Sequence, residues 1–488
     1  MRASNNKPGD GESRIPTLTK NNVVYTKIRT KPKYLRTITK IFILVRLFQF
    51  VLVYLTPNKQ FDTSTAILLN ELNLDSSYWI NKNVLNKLLS WDSTFFIKNI
   101  INSGNPVYEN EYAFSPLWCK FLRAVLSWSG SNINDDPFLL LKLTILANFV
   151  QYLSAISLYY LTLNVFKNTN MKFHDLNNLA FKSSLLYVVS SSAGFALTFY
   201  SEGLSALFTF LGLIFRSVYV INYNNGMLGI HTWWDGLKYS IITPLLFGVA
   251  VINRPNCILL GYIYISDLMK LISAKYLTTG NLTNNDNKHA FIYPLVGGFI
   301  LFMIFIKEMY YTPYVTFCSN IDKNSNSSWC STSITSYLPF ITKTNLYSYI
   351  QSEYWNVGLF KYWTLNNIPN FLFAIPNTVL CVCACNYFEK KHVVKALQPL
   401  IHITKLFLLV VWFVAHTQII NRIINFIPLH LWYIASVLST KTRFSASENV
   451  LEYDPIKIDK YIITIYLYWL ILWFPCQTVL FSAFLPPA

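Results

Sequence analysis

The stretch Trp91–Trp118 reads WDSTFFIKNIINSGNPVYENEYAFSPLW and follows the first strongly apolar segment of the chain. It holds Asp92, Glu109 and Glu111 in a protein with only 23 acidic residues among 488. Ser103-Gly104-Asn105-Pro106 breaks any helix, so the two acidic clusters can fold back toward each other. Carboxylates at a membrane surface are suited to accept a proton from a hydroxyl.

The surrounding composition sets where those carboxylates sit. Charged residues make up 13% of the chain and hydrophobic residues 53%, with a net charge of +17. Soluble domains carry about 25% charged residues. The apolar runs here are long enough to span a bilayer, so the chain reads as an all-α polytopic membrane protein. Basic residues cluster beside apolar segments, a topology signal rather than a nucleic-acid groove. Nucleic acid is therefore not an expected partner, and membrane lipid is.

Residues 1–40 form a basic tail expected in the cytosol, and 41–57 the first transmembrane helix. Residues 58–137 then become a lumenal loop. Within it, 114–129 is apolar but short and carries Lys120 and Arg123, which predicts a re-entrant or interfacial helix. Candidate spans follow over 138–311 and 369–488, around a second large lumenal loop, 312–368. The total is about eleven. Cytosolic loops at 167–178, 275–290 and 387–397 carry the expected positive excess. The C-terminus is then lumenal.

Other polar features collect on the lumenal side: Tyr200-Ser201-Glu202, Asn253-Arg254-Pro255, the aromatic run 347–363, and His416-Thr417-Gln418 with Arg422 before Pro428. Each has a plain structural reading beside a functional one. Asp92 suits a helix N-cap. Glu109 and Glu111 are ordinary as solvated loop acids. Glu202 between apolar segments requires water or a cation. Arg254 and Arg422 can snorkel, yet they break the positive-inside bias, which favours an acidic partner or a phosphate. His416 fits a buried histidine as well as an acid or base. The aromatics suit an interfacial belt or sugar stacking. Cys381, Cys383 and Cys385 lie in one apolar run and read as free thiols. Cys318 and Cys330 bracket a polar loop, where a disulfide fits an oxidising lumen. The sequon at Asn326 lies in that loop and is open to glycosylation; the sequon at Asn281 falls in a predicted cytosolic loop. Nucleotide-binding and metalloprotease motifs are absent from the sequence.

Trp91-Asp92-Ser93 with Tyr108-Glu109-Asn110-Glu111-Tyr112-Ala113-Phe114-Ser115-Pro116 resembles the first-loop signature of the second GPI mannosyltransferase family. The resemblance continues at Tyr200-Ser201-Glu202, Asn253-Arg254, Tyr354-Trp355-Asn356-Val357-Gly358 and Lys361-Tyr362-Trp363. His416-x-Gln418 with Arg422 and Pro428 completes it. The family usually has a more hydrophobic residue at Ser115 and often Val at Thr417.

That resemblance implies a GT-C glycosyltransferase of the endoplasmic reticulum. The donor would be dolichyl-phosphate mannose, and the acceptor a GPI precursor that gains its second mannose in α-1,6 linkage. No cofactor beyond the lipid-linked donor is implied, no metal is required in principle, and a small accessory membrane protein is an open partner. Asp92 is the expected base, with Glu109 and Glu111 orienting the acceptor or holding the loop. Arg254, Arg422, His416 and Gln418 would serve the donor phosphate. Trp91, Glu202, Tyr354, Trp355 and Asn356 would line the acceptor side. A multispan lipid or ion transporter is the competing class; such proteins place ionisable residues near mid-membrane and show two related halves, whereas the acids noted here lie in lumenal loops and the sequence shows no internal repeat. A non-catalytic assembly subunit is the third.

Overall fold

The computed structural model describes residues 34–72, 78–130, 133, 136–167, 169, 171–221, 229–230, 233–277, 291–319, 328–331, 333–439 and 455–486. Residues 1–33 and both sequon asparagines, Asn281 and Asn326, lie outside these.

The chain begins with α1 (Leu35–Leu55), six residues ahead of the expected first span. The first loop then supplies short helices: α2 (Ser64–Glu71), α3 (Trp79–Asn83), α4 (Ser93–Ile101) and α5 (Pro116–Trp128). The central bundle comprises α6 (Leu139–Phe166), α7 (Phe173–Val188), α8 (Ala193–Leu197), α9 (Glu202–Tyr219), α10 (Trp233–Leu237), α11 (Thr243–Asn253), α12 (Tyr262–Leu277), α13 (Ile292–Ile306) and α14 (Thr312–Phe317). A two-residue ladder, β1 (Val220–Ile221) with β2 (Gly229–Ile230), follows α9. The second large loop carries α15 (Leu346–Glu353). The chain closes with α16 (Ile368–Asn386), α17 (Gln398–Phe413), α18 (Ile420–Ile423), α19 (Leu429–Ser439) and α20 (Pro455–Ser482).

Among the described residues, eight helical stretches are long and apolar enough to cross a membrane, or nine if the bent pair around Pro428 counts as one span. The sequence count of about eleven also included α7 and α9. At 1.5 Å per residue, the 16 residues of α7 reach about 24 Å, short of the ~30 Å hydrocarbon core. Both helices nevertheless pack along α6, and α9 also along α11. The 13 residues of α5 are likewise too few to span.

Specific polar contacts hold the first loop on the bundle. Lys87 is buried and donates to the carbonyls of Val53, Tyr54 and Thr56 at 2.5–3.1 Å, where α1 ends. A cation suits the negative end of a helix. Arg123 of α5 does the same for α4, donating to the carbonyls of Ile100 and Ile101. The expected break at 103–106 is present. Ser103 and Gly104 both have positive φ, and a Cβ on Gly104 would lie 2.9 Å from the Lys120 backbone. Only glycine fits that approach. Phe96 and Ile100 on the inner face of α4 are fully buried, as its amphipathic pattern predicts.

Candidate active site

Two prolines build the turns that carry the site arginines. Proline disfavours the helical conformation in the residue before it. Arg254 precedes Pro255 and is extended (φ −143°, ψ 112°), ending α11. Ile427 precedes Pro428 and is also extended. There the chain bends by 75° into α19, leaving Arg422 on the short α18. Glu202 lies in the first turn of α9, where a carboxylate complements the helix dipole.

These turns converge on a chain of ion pairs. Arg422 Nη1 donates to Asp92 Oδ2 at 2.6 Å, and Arg422 Nε lies 2.6 Å from Glu202 Oε1. Arg254 Nη2 donates to the same Glu202 oxygen at 2.7 Å. Aromatic faces enclose the row: the Arg422 guanidinium lies 5.3 Å from the Phe195 ring and 5.2 Å from Tyr200, and Arg254 lies 6.0 Å from Phe96. Such cation–π contacts strengthen where water is excluded. A small cavity borders the Glu202–Arg422 contact, with Gln151, Tyr187, Ser192 and Asn425 on its walls.

The two readings of Asp92 separate here. It occupies the N-cap position of α4, yet its carboxylate makes no capping bond. Oδ2 is turned to Arg422 instead. The Asp92 side chain is 26% exposed against 12% for Glu202, so Asp92 is the more open end of the row. Both arginines therefore have acidic partners, one of the two alternatives open to them. Arg254 Nε is buried with no hydrogen-bond partner among the described residues.

Asn253 joins three of the sequence blocks. Its amide donates to the Ser201 carbonyl and to Ser205 Oγ, and its side-chain oxygen accepts from Ser115 Oγ at 2.7 Å. Ser115 also caps α5 at Trp118 N. Ser115 thus both donates and accepts. Thr417 is different, for its buried hydroxyl has no partner among the described residues.

The other loop acids serve local structure. Glu111 Oε2 accepts from the backbone N–H groups of Val107 and Tyr108, satisfying donors at the start of the turn that follows. Glu109 Oε1 accepts from Trp329 Nε1 at 3.0 Å, tying the first loop to the second. Trp329 is buried and adjoins Cys330, which is joined to Cys318. Tyr112 donates to the carbonyl and carboxylate of Glu308. Burial and Glu308 push its phenol pKa up, keeping that donor protonated.

His416 and Gln418 face the 355–362 loop. His416 Nε2 donates to the Trp355 carbonyl at 2.9 Å, its ring stacks on Tyr362 at 4.5 Å, and Tyr362 donates to Gln418 Oε1. Burial holds the imidazole below its ordinary pKa, partly opposed by the bond to Trp355. Trp355 packs edge-on against Phe114. Asn356 has φ 50°, a conformation asparagine tolerates, and Tyr354 is exposed. Trp91 packs against Phe484.

Tyr347, Trp329 and Glu308 were not singled out by sequence. Tyr347 on α15 lies within electrostatic reach of Arg254 and Arg422; burial raises its phenol pKa and the two arginines lower it. An acid inside an apolar span was the available signal for Glu308. Tyr347 belongs to the aromatic run 347–363, in which no residue stands out, and Trp329 lies alone in a polar loop.

The family model described as Mannosyltransferase (PIG-V) matches residues 35–398 and 393–488. The chain is 43% identical to GPI mannosyltransferase 2 of Saccharomyces cerevisiae, covering 92% of this chain and 99% of that protein. It is 40% identical to GPI mannosyltransferase 2 of Candida glabrata over 92% of this chain and 98% of that one. A crystal structure of the Archaeoglobus fulgidus oligosaccharyltransferase is similar with a TM-score of 0.44 and 11% identity, covering 92% of this chain. The chain spans about half (55%) of that structure's length. The blocks that meet at Asp92, Glu202, Arg254 and Arg422 thus sit in a chain matched almost end to end, and it belongs to the PIG-V family of mannosyltransferases.

Proposed function

We propose that this chain is a GT-C glycosyltransferase that adds the second mannose, in α-1,6 linkage, to a GPI precursor. Its donor is dolichyl-phosphate mannose, and the site faces the lumen of the endoplasmic reticulum. The reading rests on one observation above all: Asp92, the more exposed carboxylate of the row, is held by Arg422 while Glu202 balances the two arginines.

In this mechanism the acceptor hydroxyl attacks the anomeric carbon of the β-linked donor. Asp92 takes the hydroxyl proton, and its Oδ1 is outside the bond to Arg422. The carbon–oxygen bond to phosphate breaks with its electron pair passing to the phosphate, and the centre inverts to α. Arg254 or Arg422 meets the developing phosphate charge. The acceptor lies along Trp91, Tyr347 and the Tyr354–Asn356 loop. Glu109 and Glu111 hold that wall in place, while His416 and Gln418 support the loop rather than touching phosphate.

The test is the lipid profile of depleted cells labelled with mannose or inositol. Accumulation of a one-mannose GPI precursor, rescued by wild type and not by Asp92→Asn, is expected. Accumulation of precursors with no mannose or two would refute the step. No change in any GPI intermediate would favour transport instead.

A further inference from the structure

Arg422 occupies a segment that cannot hold its own shape. α18 has four residues and is followed by a three-residue 3₁₀ turn, Ile424–Phe426. Helical pieces this short are not stable alone. Their position must come from outside.

It comes from three consecutive serines in the break between α7 and α8. Asn425 Nδ2 donates to Ser190 Oγ and Ser192 Oγ, each at 3.0 Å. Ser191 Oγ donates to the Asn421 carbonyl at 2.8 Å. Asn377 of α16 donates to Ser191 Oγ at 2.9 Å and to Asn421 Oδ1 at 2.7 Å. All six residues are buried. Asn421 and Asn425 are four residues apart and grip the segment on either side of Arg422. Polar side chains this deep are costly unless bonded; apart from Asn425 Oδ1, which has no partner among the described residues, the side-chain bonds of the cluster favour one geometry.

We infer that this serine–asparagine clasp sets the position of Arg422, and through it Asp92, making Ser191, Asn421 and Asn425 positioning residues for transfer. The inference rests on the proposed reaction. A buried hydroxyl or amide on one helix fixes the guanidinium that in turn fixes the base, so the clasp acts without touching either substrate.

The test compares Asn425→Leu, Ser191→Ala, Ser191→Thr and Tyr466→Phe in the full chain, purified in detergent. Tyr466 donates to Asn377 Oδ1 at 2.9 Å. Removing it weakens the network but leaves every bond to the Arg422 segment. Misplacing a catalytic group by about 1 Å can cost about a hundredfold in rate. A kcat loss of about that size is expected for Asn425→Leu and Ser191→Ala, with KM for donor and acceptor little changed. Ser191→Thr, which keeps the hydroxyl, should recover activity, and Tyr466→Phe should retain it. Cryo-EM of Asn425→Leu should show Arg422 and Asp92 moved apart.

Wild-type kcat in folded Asn425→Leu and Ser191→Ala would overturn the clasp. So would losses in all four variants that simply follow the amount of folded protein. If the wild type transfers no mannose, the proposed reaction fails, and the Arg422–Asp92 distance in the variant structures still decides the clasp.

Discussion

Arg422 Nη1 meets Asp92 Oδ2 at 2.6 Å across 330 residues of sequence, joining the first loop to the turn before α19. The same guanidinium contacts Glu202, which also receives Arg254. The row alternates acid and base, so each carboxylate has a cation beside it and each cation is balanced.

The two acids of the row should respond differently to neutralisation. Asp92→Asn should insert and fold normally yet lose about 10²–10⁴ in transfer rate, the range of a general base. Transfer assays on microsomes with matched protein amounts measure this.

Glu202→Gln should instead fail as a structure. It leaves two buried guanidiniums without their shared partner, and breaking a buried pair costs about 3–5 kcal/mol. The expected result is a lower melting temperature in detergent, together with lost activity.

Breaking the disulfide should loosen the second loop. With Cys318 and Cys330 both changed to Ser, the segment carrying Trp329 loses its cross-link to residue 318, and the Trp329 bond to Glu109 weakens. A loop of this size predicts a loss of about 2–3 kcal/mol. Thermal unfolding with and without reductant should show the difference in wild type only.

Thr417→Val should be neutral or stabilising, by up to about 1 kcal/mol, because it removes a buried hydroxyl with no hydrogen-bond partner among the described residues. Unchanged transfer and an equal or higher melting temperature are expected.

Acid should release the 355–362 loop through His416. Its folded-state pKa lies below the ordinary 6.5. Its neutral form therefore contributes stability that is fully present above 6.5 and is lost as pH falls through the depressed folded value. A melting-temperature series from neutral pH downward should show this loss, and His416→Gln should remove that part of it.

Much of the site is legible in the order of residues alone. Asp92, Glu202, Arg254 and Arg422 stand out because charge is expensive beside apolar spans, so the few charges placed there need partners. The breaks at Ser103–Pro106, Pro255 and Pro428 are legible for a local reason, since proline and glycine restrict or free the backbone wherever they occur. The short polar loop between Cys318 and Cys330 leaves a disulfide open in sequence, and only the structure joins them. The identity of the partners is not legible. Arginine satisfied by a carboxylate and arginine awaiting a phosphate look the same in sequence, and Glu111 as cap or catalyst differs only in where its oxygen points.

The sequence alone determined a helical, membrane-spanning chain with its rare acids gathered in the first loop, because hydropathy and backbone restriction act over a few neighbouring residues. Only the tertiary structure decided that Asp92 faces Arg422 rather than its own helix. It also decided that Glu109 belongs to Trp329 and that three serines hold Asn421 and Asn425. Those choices depend on hydrogen bonds between residues hundreds of positions apart, and packing of the whole bundle selects them.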